Sequence, residues 1–140
     1  MTIASGLVCA GAGIILLLGT LHLRHTYFSN NFSPREADLE ARLKTAVPVI
    51  TDQTTLWRSL IGFNASHSLG AILFGLLYLY LPLVRPALFF SDAFLQLAGL
   101  GYLVAMSILA KRYWFSVPYK GILLATLLYL AGLGLSLAAV

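Results

Sequence analysis

The chain has 140 residues, of which 59% are hydrophobic and only 10% charged, with a net charge of +4. Soluble domains carry about 25% charged residues, so this composition excludes an ordinary soluble enzyme and indicates a membrane protein. The basic residues sit at the ends of apolar runs and form no stripe interleaved with aromatics, so the positive charge does not suggest nucleic acid.

Hydrocarbon about 30 Å thick needs roughly 20 apolar residues per helix. Four segments meet that need, at about 3–23, 55–81, 88–110 and 119–139. They leave no room for a separate soluble domain. Residues 1–140 therefore read as one all-α membrane domain, a bundle of four transmembrane helices with a short amphipathic helix in its first loop.

The first helix is rich in Gly and Ala. Ala4, Val8, Gly11, Ile15, Gly19 and His22 fall on one side and predict a face for packing against another helix, with Arg24 and His25 marking the water interface. The segment lacks the basic start of a secretory signal, and its apolar run is too long for one. Cys9, in a faint lipoprotein-like LVCA, is the only cysteine, which excludes an intrachain disulfide and a Cys-rich zinc site.

The first loop, about 26–53, is the only long one. Ser33-Pro34-Arg35-Glu36 has the form of a capping box with proline at the first helical position. It predicts a short helix over about 34–46 that ends before Val47-Pro48. Asp38/Arg42 and Glu40/Lys44 are i,i+4 pairs in the favourable order. Thr51 or Asp52 is then expected to cap the second long helix.

That helix, Thr54 to Leu81, is the most informative stretch. At 100° per residue one face reads Ile61, Ala65, Leu69, Ile72, Leu76 and Leu79, apolar and suited to lipid. The opposite face reads Asn64, His67, Ser68, Ala71, Gly75 and Tyr78. Between them Gly62, Ser66 and Gly70 form a small-xxx-small track, expected to receive another helix. Polar groups at bilayer depth face protein or a cavity. Arg58, Asn64, His67 and Ser68, with His22 of the first helix, are therefore the candidate ligand-binding residues. Arg58 can hold a carboxylate or phosphate bidentately.

The second loop holds two prolines, and Ser91 or Asp92 is expected to cap the third helix, which carries Asp92, Gln96, Leu103 and Ser107 on one side. It ends in the interfacial anchor Lys111-Arg112-Tyr113-Trp114. The fourth helix, after Pro118, offers Thr126, Tyr129, Gly132 and Ser136. LAGLG occurs at 97–101 and again at 130–134, which reads either as the relic of an inverted repeat or, in so Leu-, Ala- and Gly-rich a chain, as coincidence.

Arg24, Arg35, Arg42, Lys44 and Arg58 flank the first loop, and Lys111, Arg112 and Lys120 the third; only Arg85 lies on the other side. This asymmetry predicts a multi-pass protein of the bacterial inner membrane with both termini periplasmic.

No catalytic Ser/His/Asp, phosphate-binding glycine loop or carboxylate pair is present. If Arg24 and Arg58 sit at similar depths, His22 and His67 differ by about 10 Å along the membrane normal. On that geometry no metal site is expected and a shared haem is disfavoured, and no cofactor is predicted. The arrangement suits an amphipathic, lipid-like ligand with an anionic head, or attachment to a larger membrane assembly.

At GTLHLRHTYF, TTLWRSLIGFNASHSLGAILFGLLYLY and AKRYWFSVP the chain resembles a group of small bacterial inner-membrane proteins with four predicted helices and no established activity. A weaker resemblance is to the MAPEG superfamily of membrane-bound glutathione transferases and eicosanoid enzymes. It rests on the four helices, the long first loop and Arg58 followed by Asn64-Ala65-Ser66-His67, where His67 stands in place of a glutamate. That resemblance implies a thiol- or glutathione-dependent enzyme working as a homo-oligomer, the enzymatic alternative to a binding protein. A haem or metal subunit is the third alternative.

Overall fold

The computed structural model describes residues 1–138. Among them the fold is all-α, with six helices: α1 (Ile3–Phe28), α2 (Ala37–Thr45), α3 (Leu56–Val84), α4 (Pro86–Ser91), α5 (Ala93–Tyr113) and α6 (Ser116–Ala138). Four of them, α1, α3, α5 and α6, are long and apolar enough to cross a membrane. The predicted end of the last helix at 139 lies outside the described residues.

Contacts gather into two units. The first comprises Met1–Leu18 and the chain from Ala71 onward; the second is Gly19–Gly70.

The first unit is a bundle of four long helical segments. Val8, Ala12 and Ile15 of α1 meet Ala71, Phe74, Tyr78 and Leu81 of α3, Phe89 of α4, Leu103 and Ala110 of α5, and Ile122, Ala125 and Tyr129 of α6. Lipid tails are as apolar as leucine, so close fit and internal hydrogen bonds hold such a bundle together more than escape from water does. Gly75 provides one close fit: a Cβ there would lie 2.8 Å from the Leu16 Cα. Gly11 provides another, where a Cβ would stand 2.7 Å from the Ala125 carbonyl oxygen. The two buried tyrosines are tethered by hydrogen bonds. Tyr78 donates to the Leu95 carbonyl at 2.8 Å and Tyr129 to the Gln96 carbonyl at 3.0 Å. Ser107 and Thr126 bond across α5 and α6 at 3.1 Å. Of the residues singled out on the third and fourth long helices, Leu103, Thr126, Tyr129 and Gly132 are buried in the bundle, and Gln96 and Ser107 are half-buried. Both LAGLG copies place their first glycine, Gly99 and Gly132, inward and their second, Gly101 and Gly134, in open space.

The second unit holds the end of α1, the long loop with α2, and the start of α3. The long loop departs from its predicted caps. α2 starts at Ala37, and its N-cap Glu36 makes no side-chain cap bond. Ser33 instead bonds the Glu40 carboxylate, so its hydroxyl is engaged away from the helix start. Of the two i,i+4 pairs, Glu40–Lys44 forms an ion pair. α3 is capped by Thr55, whose Oγ1 accepts from the Arg58 amide at 3.3 Å, and not by Thr51 or Asp52. The loop between closes back on itself where the Leu56 amide donates to Ala46 O at 2.9 Å.

Other boundaries shift outward. α1 continues past Leu23 to Phe28, and α3 runs through Pro82 to Val84. The segment expected to open the third helix at 88 is split. α4 stops at Ser91, and Asp92 caps α5 by accepting from Phe94 N at 2.8 Å and Leu95 N at 3.2 Å.

The faces of α3 need a correction. Asn64, His67, Ser68, Ala71, Gly75 and Tyr78 are turned inward as expected. Ala65, placed on the lipid face by its apolar neighbours, is buried, and Ile61, Ile72 and Leu79 are half-buried. The Gly62-Ser66-Gly70 track is exposed, with open space around both glycines, and among the described residues no helix packs on it. Leucine serves both a lipid face and a helix–helix face, so hydrophobicity alone does not separate them.

Candidate functional site

The polar residues of the second unit come together around His22. It lies on α1 on the same side as Gly19, and Thr26 follows one turn later. Asn64, His67 and Ser68 lie within about one turn of α3, so their side chains share one flank. The helices run in opposite directions, and His22 meets this flank between Asn64 and His67.

Asn64 organises the contact. Its Nδ2 donates to the Leu60 carbonyl at 3.0 Å, one turn back on its own helix. Its Oδ1 is thereby the atom turned to His22 Nε2, at 3.1 Å. A carboxamide oxygen only accepts, so Nε2 is the donor in this contact. The His67 ring stands edge-on to the His22 ring, with centroids 5.4 Å apart and planes at 85°. Phe32, from the loop, packs on another side of His22 at 4.8 Å. Ser68 is fully buried and donates to the Asn64 carbonyl at 2.8 Å; Thr26 donates to the His22 carbonyl at 2.8 Å. Both hydroxyls are engaged by backbone of their own helix, a pattern that satisfies them without a partner helix.

One expectation about the histidines is overturned. His22 and His67 are not separated by about 10 Å; their rings touch. Arg24 does not mark the end of α1, which continues to Phe28, so the arginines were a poor gauge of depth. His25, one turn on from His22, is engaged elsewhere: its Nδ1 lies 3.1 Å from Asn31 Nδ2, in the loop.

Arg58 stands apart from the cluster. It is exposed in the first turns of α3, and among the described residues no hydrogen bond or ion pair ties it to Asn64 or His67. The structure thus brings together four of the five candidate residues, His22, Asn64, His67 and Ser68, and leaves out Arg58.

Beside the cluster lies a pocket of about 370 Å³, lined among others by Thr26, Tyr27, Phe32, Glu40, Lys44 and Trp57. Phe32 is the shared wall, one side on His22 and the other facing the pocket. Lys44 Nζ reaches over the Trp57 ring at 5.4 Å from its centroid and pairs with Glu40. Hydrogen bonds from Lys44 and Ser33 hold the Glu40 carboxyl below the usual carboxylate range, so it is charged at neutral pH. The pocket therefore presents one cation, one anion, several hydroxyl and amide groups and three aromatic rings. Sequence reading missed Phe32 and Trp57. The available signal was the set of aromatics that bracket the long loop.

No protein-family model, curated protein or solved structure matches the chain.

Proposed function

We propose that this is a non-catalytic protein of the bacterial inner membrane that binds the polar head of a lipid-like amphipathic molecule in the pocket beside α2. The observation that supports this reading is the lining. Tyr27, Phe32 and Trp57 offer apolar surface, and Glu40 and Lys44 offer both signs of charge within the same space. The lining is more polar than apolar, as a headgroup requires, and Trp and Tyr are favoured where a molecule is half in hydrocarbon and half in water. The ligand site moves accordingly from the polar face of α3 to the loop. Asn64 and Ser68 bond internally, and the cluster serves to hold α1 against α3 and to position Phe32.

The basic residues that flank the first and third loops support a cytoplasmic position for this pocket, with both termini periplasmic. Reporter fusions after Gln53 and Ser116 are expected to be active in the cytoplasm, and a fusion at the C-terminus in the periplasm. The opposite pattern refutes the orientation.

Lipid extracted from the detergent-purified protein tests the function. Wild type is expected to carry a defined amphiphile that Trp57→Ala lacks. Robust conjugation of a thiol to an electrophile, lost in Arg58→Ala, would replace this reading with an enzymatic one of the MAPEG kind.

A further inference from the structure

The charges in the pocket beside α2 are balanced. Among the described residues that line it only Glu40 and Lys44 are charged, and they pair with each other. Arg58 follows Trp57 in the chain but is exposed and does not line the pocket. The space therefore carries no net charge, unlike the chain as a whole, whose net charge is +4.

Lys44 shows what the anionic side accepts. Its ammonium pairs with the Glu40 carboxylate and lies over the face of Trp57, 5.4 Å from the ring centroid. A carboxylate holds an ammonium by charge-assisted hydrogen bonds, and an indole face holds it through the ring quadrupole. Ser33 bonds the same carboxylate from the loop, so Glu40 is kept ionised and oriented. Lys44 is half-exposed, on a flexible four-carbon stem.

Charge then separates the possible heads. An anionic head bonded to Lys44 would draw it from Glu40 and leave two negative groups side by side. A cationic head bonded to Glu40 would leave two ammonium groups over one ring. A head with both a phosphate and an ammonium meets neither penalty. Its ammonium takes the place of the Lys44 ammonium on Glu40 and Trp57, and Lys44 turns to the phosphate. The charges alternate in sign, and each keeps an opposite neighbour. The bonds to Glu40 need N–H groups, so a primary ammonium fits better than a quaternary one, which has none.

The pocket also lies at the level of a headgroup. Tyr27 is in the last turn of α1 and Trp57 in the first turn of α3, both helices long and apolar enough to cross a membrane. Aromatic residues at the ends of such helices sit among the headgroups. Ile61, one turn further along α3, is the lining residue that leads on to hydrocarbon.

We propose, resting on the reading of this pocket as a lipid site, that its ligand is a zwitterionic phospholipid whose head joins a phosphate diester to a primary ammonium, with Glu40 and Trp57 on the ammonium and Lys44 on the phosphate.

The test is a competition read by native mass spectrometry. The full-length protein, stripped of co-purified lipid by detergent exchange, is incubated with equal amounts of phosphatidylethanolamine, phosphatidylcholine and phosphatidylglycerol of the same acyl chains. Wild type should retain the ethanolamine lipid about fivefold over each of the others, the scale of a partly exposed ion pair. Glu40→Gln should remove that preference. Lys44→Gln should lower retention of all of them, because each carries a phosphate. Arg58→Ala should behave as wild type does. An excess of glycerophosphoethanolamine, the same head without tails, should not displace the lipid; displacement would make the ligand a soluble zwitterion and overturn the proposal. Because the wild-type ranking needs no variant, a poorly folded mutant leaves the proposal testable. Any other ranking, or a preference that survives Glu40→Gln, overturns the headgroup assignment and leaves the lipid-site reading standing. Retention of none of these lipids overturns both.

Discussion

Asn64 Oδ1 accepts from His22 Nε2 at 3.1 Å, and this bond between α1 and α3 orients the ring on which Phe32 rests. Leaving a buried donor unsatisfied costs about 1–3 kcal/mol in water-soluble proteins. Interhelical bonds in membranes average only about 0.6 kcal/mol. His22 is half-buried, so the lower end applies. Asn64→Leu is expected to leave the protein inserted and folded and to lower stability by about 1 kcal/mol. A detergent melting curve checks this, and a variant more stable than wild type would show that the bond contributes nothing.

Gly75 and Gly62 give a paired comparison. A Cβ at Gly75 would stand within 2.9 Å of the Leu16 backbone nitrogen, whereas Gly62 has nothing within 4 Å. Gly75→Ala should destabilise by about 1–3 kcal/mol through overpacking. Gly62→Ala should be neutral or gain a few tenths of a kcal/mol or more, because Ala is the better helix former by roughly 0.5–1 kcal/mol. Equal effects in a melting experiment would mean that α1 and α3 do not approach as closely as described.

The Ser107–Thr126 bond at 3.1 Å tethers α5 to α6. Thr126 also donates to its own helix at Ile122 O. The interhelical contact is thus an addition to a hydroxyl already engaged. A double-mutant cycle of Ser107→Ala and Thr126→Val should give a coupling of about 0.6 kcal/mol. A coupling of several kcal/mol would contradict this.

The register of the helices was legible in the sequence, and their rotation only in part. Runs of roughly 20 apolar residues with few charges fix where helices lie, because hydrocarbon tolerates nothing else there. The face from Ala4 to His22, and the inward polar residues of α3, were also legible, since polar groups avoid lipid. Ala65 was misplaced because an alanine beside leucines carries no mark of whether it meets lipid or protein. The Gly62-Ser66-Gly70 track was misread for the same reason: small residues permit a close helix and do not require one. At the site, chemistry picked out His22, Asn64, His67 and Ser68. What it missed depended on tertiary geometry. The contact of His22 with His67 follows from the extra turn of α1, and the pocket from a loop that folds Phe32 and Lys44 back onto the helices.

Glu40 gives a pH prediction. Its carboxyl is held below the usual range by Lys44 and Ser33. A group with a depressed folded-state pKa contributes stability above its unfolded pKa and loses it as pH falls through the folded value. The contribution of Glu40 to folding stability should therefore be flat from neutral pH down to the ordinary carboxylate range and be lost below it. The carboxylate is partly exposed to solvent, so the effect should shrink with added salt. Glu40→Gln should abolish this acid limb. A limb unchanged in Glu40→Gln would assign it to another group.

The central claim, that the pocket beside α2 holds an amphiphile, is tested most directly by native mass spectrometry of the protein released from detergent. Wild type should retain one amphiphile that resists collisional activation. A Trp57→Ala, Lys44→Ala double variant, folded by circular dichroism, should lose it, and Arg58→Ala should keep it. Retention of the same adduct by the double variant, or a wild type that carries none, would contradict the account.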